Sequence, residues 1–326
     1  MLSRVAERLY WIGRYMERAE NTARLINVTS QSIMDLPRSA NISWSGIIDI
    51  VGATKAFKET EHELSEVNIS RYLISDDTSV NSIISSLKSA RENARTSREI
   101  MPKEAWESLN NLYLWARDNC KDTDNRSART VFLNTTVFST QQYAGMLTST
   151  MSHSQSYHLL MLGKMVERAD MSTRLIDMAI EMLLAKQESD DDSLDIEPYD
   201  NLLWMHVLQS LSAYQMYRQH MARRVEGKQT VQFLLNDNFL PRSVKHCLSE
   251  ISDLSGRLPR ADSVQMYTRA AHSVLAELQI TSNALDLSFR DFIDELQIAI
   301  HKIHNSISST WFSINTVETQ RQSQAN

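Results

Sequence analysis

Glutamate and arginine recur at helical spacing near the start of the chain. Gly13, Glu17, Glu20 and Arg24 are separated by four, three and four residues. At 100° per residue, all of them fall within about 60° of Glu17, on one side of a helix. Carboxylates grouped in this way can hold Mg²⁺ or act as acid and base, and guanidinium groups can clamp a carboxylate or a phosphate. The spacing therefore predicts a polar stripe that could carry out chemistry.

The same pattern returns 150 residues later without a gap. Seven of the fourteen positions in residues 13–26 are identical in residues 163–176, whereas unrelated segments of average composition share about one. An internal duplication is the simplest explanation, and face-to-face packing of the two helices would bring both stripes together. The candidate site residues are Glu17, Arg18, Glu20, Arg24, Glu167, Arg168, Asp170 and Arg174.

A structural role competes with a chemical one for these residues. Glu20 with Arg24, and Asp170 with Arg174, have the i,i+4 spacing of an ordinary ion pair on a helix. A glycine within a helix can simply let two helices pack closely. We favour pairing between the helices, and a chemical site stays open because buried ion pairs and active sites both shift charge states.

Other residues with metal-binding chemistry are weaker candidates. Glu59 and His62 have the spacing of a helical di-metal ligand pair, but a di-iron bundle needs two such pairs and two more glutamates. His301 and His304 are three residues apart, and packing explains them better than a metal. The sequence contains no phosphate-binding loop, nucleophile triad or dinucleotide fingerprint. No metal and no cofactor is therefore predicted.

Long helices are needed to position the two stripes, and the composition favours them. Only 7 glycines and 5 prolines occur in 326 residues, which is too few for the turns of a sheet protein. We predict an all-α helical bundle from two diverged copies of one helical unit, packed with pseudo-two-fold symmetry into a single compact body. The copies would span residues 1–150 and 151–326, with a polar tail at 317–326. The predicted helices are 2–33, 44–57, 66–75, 79–98, 103–119, 126–149, 151–186, 199–224, 229–235, 241–255, 262–286 and 289–316.

A weaker second repeat supports the duplication. Residues 71–76, followed by Ser79 and Val80, resemble residues 232–237, followed by Ser243 and Val244. Both stretches have the pattern of a helix end, a polar turn and a new helix start with a capping residue. This alignment requires an insertion in the second copy.

Charge and hydropathy limit the partners. The net charge of −6 argues against a nucleic-acid partner, which calls for a basic excess. No apolar stretch approaches the roughly 20 residues of a membrane span, so no membrane partner and a cytoplasmic location are expected. Cys120 and Cys247 fit no metal or redox spacing and are predicted to be buried thiols.

Several motifs resemble the bacterial alpha-E family, in the family's order and over essentially the whole chain. The most specific motif is the stretch at residues 1–25, and the second Glu-Arg-Ala-acidic motif, ERAD at 167–170, completes the pattern. The matching stretches are MLSRVAERLYWIGRYMERAENTARL at 1–25, ARENAR at 90–95, WESLNNLY at 106–113, FLLND at 233–237 and PRSV at 241–244.

The resemblance implies an all-helical domain named for its glutamate-bearing helices. Members of the family are typically encoded beside, or fused to, circularly permuted ATP-grasp-type ligases and transglutaminase-like peptidases. The presence of these enzymes beside family members implies a system that makes or modifies peptides by carboxylate–amine ligation, with a peptide as its substrate. The family motif falls on the eight candidate residues, and Asp170 departs from it because it replaces a glutamate. We expect an accessory component of such a system. The alternatives are an enzyme that uses the Glu/Arg stripes in acyl-transfer or amide-bond chemistry, and a di-metal bundle.

Overall fold

Helices account for about four fifths of the computed structural model, which describes residues 3–35, 44–188, 196–221, 224–278 and 285–313. Within these residues there is no strand, as the composition predicted. Two short 3-10 helices, Arg98–Ile100 and Cys120–Asp124, accompany the α-helices. The α-helices are α1 Ser3–Asp35, α2 Trp44–Ile50, α3 Thr54–Lys58, α4 Glu66–Ile74, α5 Ile83–Arg95, α6 Lys103–Asn119, α7 Arg126–Thr150, α8 Gln155–Glu188, α9 Ile196–Ser210, α10 Tyr214–Met221, α11 Gly227–Asn236, α12 Val244–Gly256, α13 Asp262–Ala276 and α14 Leu287–Trp311.

The two helices that carry the stripes, α1 and α8, lie at the centre and pack most extensively against each other. α1 also packs on α5 and α7, and α6 packs on both of those helices. In the same way α8 packs on α12 and α14, and α13 packs on both of those. Each central helix therefore belongs to a group of four helices, and the contact between α1 and α8 joins the two groups.

Because neighbours surround them, α1 and α8 are buried on more than their apolar faces. Leu9, Ile12 and Ile26 of α1 are fully buried. Glu17 and Glu167, on the polar stripes, are also buried, with only 2% and 6% of their surface exposed. A buried carboxylate needs a charged or hydrogen-bonding partner, so the stripes must be paired inside the protein.

The helix caps correct the predicted insertion in the second repeat. The side chains of Ser82 and Ser243 accept hydrogen bonds from the amides three residues ahead, at 3.0 and 3.1 Å, and begin α5 and α12. In the predicted repeat, Ser243 therefore aligns with Ser82 and not with Ser79. The offset between the two caps is 161 residues, the same as between Asp76 and Asp237. The two stretches align without an insertion.

Two predicted helices are broken where the backbone turns left-handed. The predicted helix 44–57 is interrupted at Gly52, with φ of 69°, and forms α2 and α3. The predicted helix 199–224 is interrupted at Ser212, with φ of 53°, and forms α9 and α10. Glycine adopts this φ without strain, whereas the left-handed region is strained for Ser212, so the break at Ser212 does not follow from helix propensity alone. The polar tail 317–326 lies outside the described residues.

None of the helices in the described part of the chain is long and apolar enough to cross a membrane.

Candidate functional site: the Glu/Arg cluster between the central helices

The crossing of α1 and α8 is a contact between two backbones. A Cβ atom on Gly13 would lie 2.0 Å from the carbonyl oxygen of Leu160. A Cβ atom on Gly163 would lie 1.9 Å from the carbonyl oxygen of Tyr10. Real Cβ atoms do not approach other atoms so closely, so only glycine fits at either position. The two glycines set the separation of the helices and therefore the distance between the stripes.

One turn beyond the crossing, the two helices exchange ion pairs. Arg18 donates from Nε to Oε1 of Glu167 at 2.6 Å. Arg168 donates from Nε to Oε1 of Glu17 at 2.7 Å and from its terminal nitrogen to Oε2 at 2.9 Å. The two pairs are reciprocal, because each helix provides one glutamate and one arginine at matching positions. The structure thus brings four of the candidate residues together across the helix contact.

A second arginine binds each of these glutamates, and neither was among the candidate residues. Arg14 donates from Nε to Oε2 of Glu167 at 2.5 Å. Arg242 lies 3.0 Å from Oε1 of Glu17 and reaches it from the segment before α12. The sequence did contain signals for both. Arg14 aligns with Lys164 when the sequence is compared with itself at an offset of 150 residues, and Arg242 belongs to the PRSV motif at 241–244.

The i,i+4 pairs predicted on each stripe are present. Arg24 lies 2.9 Å from Oε1 of Glu20, and Arg174 lies 2.9 Å from Oδ2 of Asp170. The two pairs differ in burial, because Glu20 also binds Arg242 at 2.8 Å. The side chains of Asp170 and Arg174 are 24% and 37% exposed. The second stripe therefore remains partly accessible to solvent at its far end.

Arg242 is held in place by hydrogen bonds as well as by charge. Its guanidinium donates to Oδ1 of Asn21 at 2.7 Å, and its carbonyl accepts from Oγ of Ser172 at 2.8 Å. α12 is therefore tied to α1 and α8 at the same point. Removing any one member of this network would leave a buried polar group without its partner.

The electrostatics of the cluster keep both central glutamates ionised. Burial raises the pKa of Glu17, but Arg168 and Arg242 outweigh burial and bring the pKa down to about 2. Burial likewise raises the pKa of Glu167, and Arg14 and Arg18 lower it to about 2. A carboxylate with such a low pKa cannot donate a proton near neutral pH, and its oxygens are already engaged. The arrangement suits structural pairing rather than acid–base catalysis by these two residues.

The described residues contain no group of three or more His, Cys, Asp and Glu side chains arranged to hold a metal ion. Glu59 and His62, the weaker candidates for a helical ligand pair, do not lie together on a helix. α3 ends at Lys58, and Glu61 between them has φ of 57°. His304 instead lies 2.8 Å, through Nδ1, from the hydroxyl of Tyr10. Cys120 and Cys247 are buried free thiols, as predicted.

A further buried ion pair escaped prediction. Arg129 of α7 is 2% exposed and donates to Glu66 of α4, which also pairs with Arg126 at 2.5 Å. The guanidinium of Arg129 also lies 5.8 Å from the ring centre of Trp44. No repeat or motif singled out these residues, because they come from separate helices with no shared spacing.

Comparison with known proteins identifies a family but no individual relative. A family model described as a predicted alpha-helical domain with a conserved ER motif matches residues 1–312. Glu17-Arg18 and Glu167-Arg168, which form the reciprocal ion pairs, are Glu-Arg pairs of this kind. No curated protein and no solved structure is similar enough to the chain to count as a match.

Proposed function

The chain belongs to the Alpha-E family, and from this premise we propose that it is an accessory or cooperating component of an ATP-grasp-dependent peptide-ligation system. The system would join carboxylates to amines in peptide synthesis or modification. The proposed partners are an ATP-grasp-type ligase and a transglutaminase-like peptidase. Because the ligase consumes ATP, the pair would work in the cytoplasm.

The saturation of Glu17 and Glu167 by arginines is the observation that carries this proposal. Each glutamate binds two guanidiniums and is buried. These two glutamates and the arginines that bind them are therefore engaged in holding helices together, and neither glutamate is free to act as a base or an acid. A chain whose signature forms its interior would contribute to the reaction through what it binds.

An internal duplication, with copies at 1–150 and 151–326, is part of the proposal. α5 and α12 have equal lengths and lie at an offset of 161 residues, as do α7 and α14. The reciprocal ion pairs are what a pseudo-two-fold axis between α1 and α8 would produce. We infer that the two copies have kept the surfaces by which they bind each other.

An enzyme that uses the stripes is the second candidate, and one observation favours it. Asp170 and Arg174 are partly exposed, and they are the accessible end of a stripe that is otherwise buried. A substrate could contact them without disturbing Glu17 or Glu167. A chemical role would thus depend on this pair rather than on the reciprocal glutamates.

Reconstitution with an ATP-grasp ligase from the same organism tests the proposal. The full chain, the ligase, ATP and peptide are combined, and both the complex and the ligated product are measured. We expect the two proteins to co-purify, and we expect the yield of product to depend on this chain while ATP turnover by the ligase alone continues.

Two outcomes of these experiments would argue against the accessory role. Failure of the two proteins to associate at micromolar concentration contradicts the accessory role. Loss of product in folded Asp170→Asn, with the complex intact, favours the enzyme. Asp118→Asn, in an exposed ion pair with Arg117, is the matched control.

A further inference from the structure

A cavity beside Glu167 lies between α1, α8, the end of α2 and the segment before α5. Its polar wall consists of Arg18, Thr22, Asn81, Glu167, Asp170 and Arg174. About 60 Å³ is open to the centre of a water-sized sphere, and one water molecule needs roughly 10–15 Å³ by this measure. The cavity therefore has room for a group of about four heavy atoms. It opens to solvent past the partly exposed side chains of Asp170 and Arg174.

Three side chains in this wall have acceptors that no donor reaches within the described part of the chain. Thr22 is only 1% exposed, and its hydroxyl makes no hydrogen bond there. The side-chain amide of Asn81 makes none to a described residue either. Asp170 accepts from Arg174 through Oδ2, whereas no described residue donates to its Oδ1. A buried hydroxyl is nearly always satisfied, and a carboxylate oxygen can only accept, so the cavity calls for a donor.

The corresponding place on the other side of the helix contact holds a guanidinium. Arg242 lies 161 residues after Asn81, which is the offset that aligns the caps of α5 and α12. Its terminal nitrogen donates at 2.8 Å to Oε1 of Glu20, which lies 150 residues before Asp170. Asparagine and aspartate are shorter than arginine and glutamate. They leave open the space that the guanidinium of Arg242 fills on the other side.

The charges around the cavity allow a further cation. Three arginines face two carboxylates there, Arg14, Arg18 and Arg174 against Glu167 and Asp170. On the other side of the helix contact four cations face two carboxylates, Arg24, Lys164, Arg168 and Arg242 against Glu17 and Glu20. One more guanidinium in the cavity would therefore reproduce the charge balance under which Arg242 is already held.

We propose that this cavity binds a guanidinium group, with Asp170 Oδ1, Thr22 Oγ1 and the side-chain oxygen of Asn81 as its acceptors. An alkylguanidinium carries five N–H donors in one plane, so it can serve several acceptors at once. Its alkyl stem leaves through the opening beside Arg174. Two sources share this chemistry, free arginine and an arginine side chain of a peptide. The assignment uses the duplication proposed above and does not depend on the partnership with a ligase.

Titration of the full chain with ethylguanidinium at constant ionic strength tests the site. The ¹³C-methyl resonance of Met171, which lines the cavity, reports the binding. Ethylurea, a neutral molecule of the same shape, and propionate, a small anion, are the comparisons. We expect saturable binding of ethylguanidinium, at least tenfold tighter than that of either comparison, because neither offers a positively charged donor to Asp170. Absence of saturable binding at millimolar concentration overturns the proposal, as does equal affinity for ethylurea or tighter binding of propionate.

Two substitutions separate this site from non-specific attraction of a cation. Asp170→Asn removes the charged acceptor and should weaken binding about tenfold or more. Asp118→Asn, in an exposed ion pair with Arg117, should bind as wild type does. Asn81→Arg copies Arg242, so its own guanidinium should fill the cavity and abolish binding while the protein stays folded by circular dichroism. Unchanged affinity in either folded variant, Asp170→Asn or Asn81→Arg, contradicts the assignment.

A tripeptide with a central arginine and both ends blocked, compared with free arginine, distinguishes the two sources. Tighter binding of the tripeptide assigns the site to arginine side chains of peptides, and the reverse order assigns it to the free amino acid. No ligase enters these titrations. Their failure would therefore leave the co-purification test of the accessory role unaffected.

Discussion

Gly13 and Gly163 lie on opposite sides of one helix crossing, and each presses against the backbone of the other helix. Their hypothetical Cβ atoms would stand 2.0 and 1.9 Å from carbonyl oxygens. Neither oxygen belongs to a side chain that could turn away. The crossing therefore has no means of accommodating a methyl group other than separating α1 from α8.

We expect Gly163→Ala to destabilise the protein by about 1–3 kcal/mol or more, because the helices and their ion pairs must move apart. Urea denaturation measures the free energy of unfolding. Gly145→Ala in α7 is the matched control, since no atom lies within 4 Å of its Cβ position. There the loss of glycine's flexibility should stabilise the helix by about 0.5–1 kcal/mol. A loss below about 1 kcal/mol in Gly163→Ala would contradict the close crossing.

Glu167→Gln should cost about 3–5 kcal/mol, because it leaves Arg14 and Arg18 buried without a countercharge. Denaturation of the purified variant by urea measures this loss. Glu92→Gln is the control, since that carboxylate is 48% exposed and its pairs with arginine are on the surface. It should change stability by less than about 1 kcal/mol. Equal effects of the two substitutions would mean that the central pairs contribute no more than surface pairs do.

The low pKa of Glu17 and Glu167 predicts a specific loss of stability in acid. Both groups have a folded pKa of about 2, below the ordinary 4.5 of an unfolded glutamate. Their contribution is therefore complete above pH 4.5 and is lost as the pH falls toward 2. Carboxyl ¹³C resonances should show that neither group titrates between pH 6 and 4 in the folded protein. Titration of either carboxyl near pH 4.5 would contradict the double pairing.

His206 should make stability depend on pH in a second, higher window. Burial lowers its pKa to about 4 from the ordinary 6.5, and its Nε2 lies 3.1 Å from Oγ1 of Thr29. As the pH falls from 6.5 to 4, the unfolded chain binds a proton that the folded protein does not, so stability decreases. Over that window, His206→Gln should flatten the slope of the unfolding free energy against pH. His304, whose pKa is also lowered to about 4, keeps part of the slope in the variant. An unchanged slope in His206→Gln would contradict the contribution of His206 to the pH dependence of stability.

The sequence predicted those parts of the fold and the site that depend on spacing along one helix. Glu20 with Arg24 could be paired from their separation alone, and the repeated glycines indicated a close helix contact. Arg242 could not be placed, because it reaches Glu20 across 222 residues and its position depends on the cap of α12. The break at Ser212 was missed for a related reason, because a left-handed residue is held by tertiary packing rather than by propensity.

The order of synthesis gives the exchange of ion pairs a further consequence. α1 is complete at residue 35, but its main packing partner is complete only at residue 188. At roughly 5–20 residues per second, the ribosome needs about 8–30 s to make the intervening chain. Until α8 has been made, Glu17 stays without its ion-pair partner Arg168, even after it has left the exit tunnel. A force-sensing arrest sequence should report no folding of the centre until α8 and the segment with Arg242 have emerged. α1, although it is synthesised first, therefore packs into the folded protein only after α8 has been made.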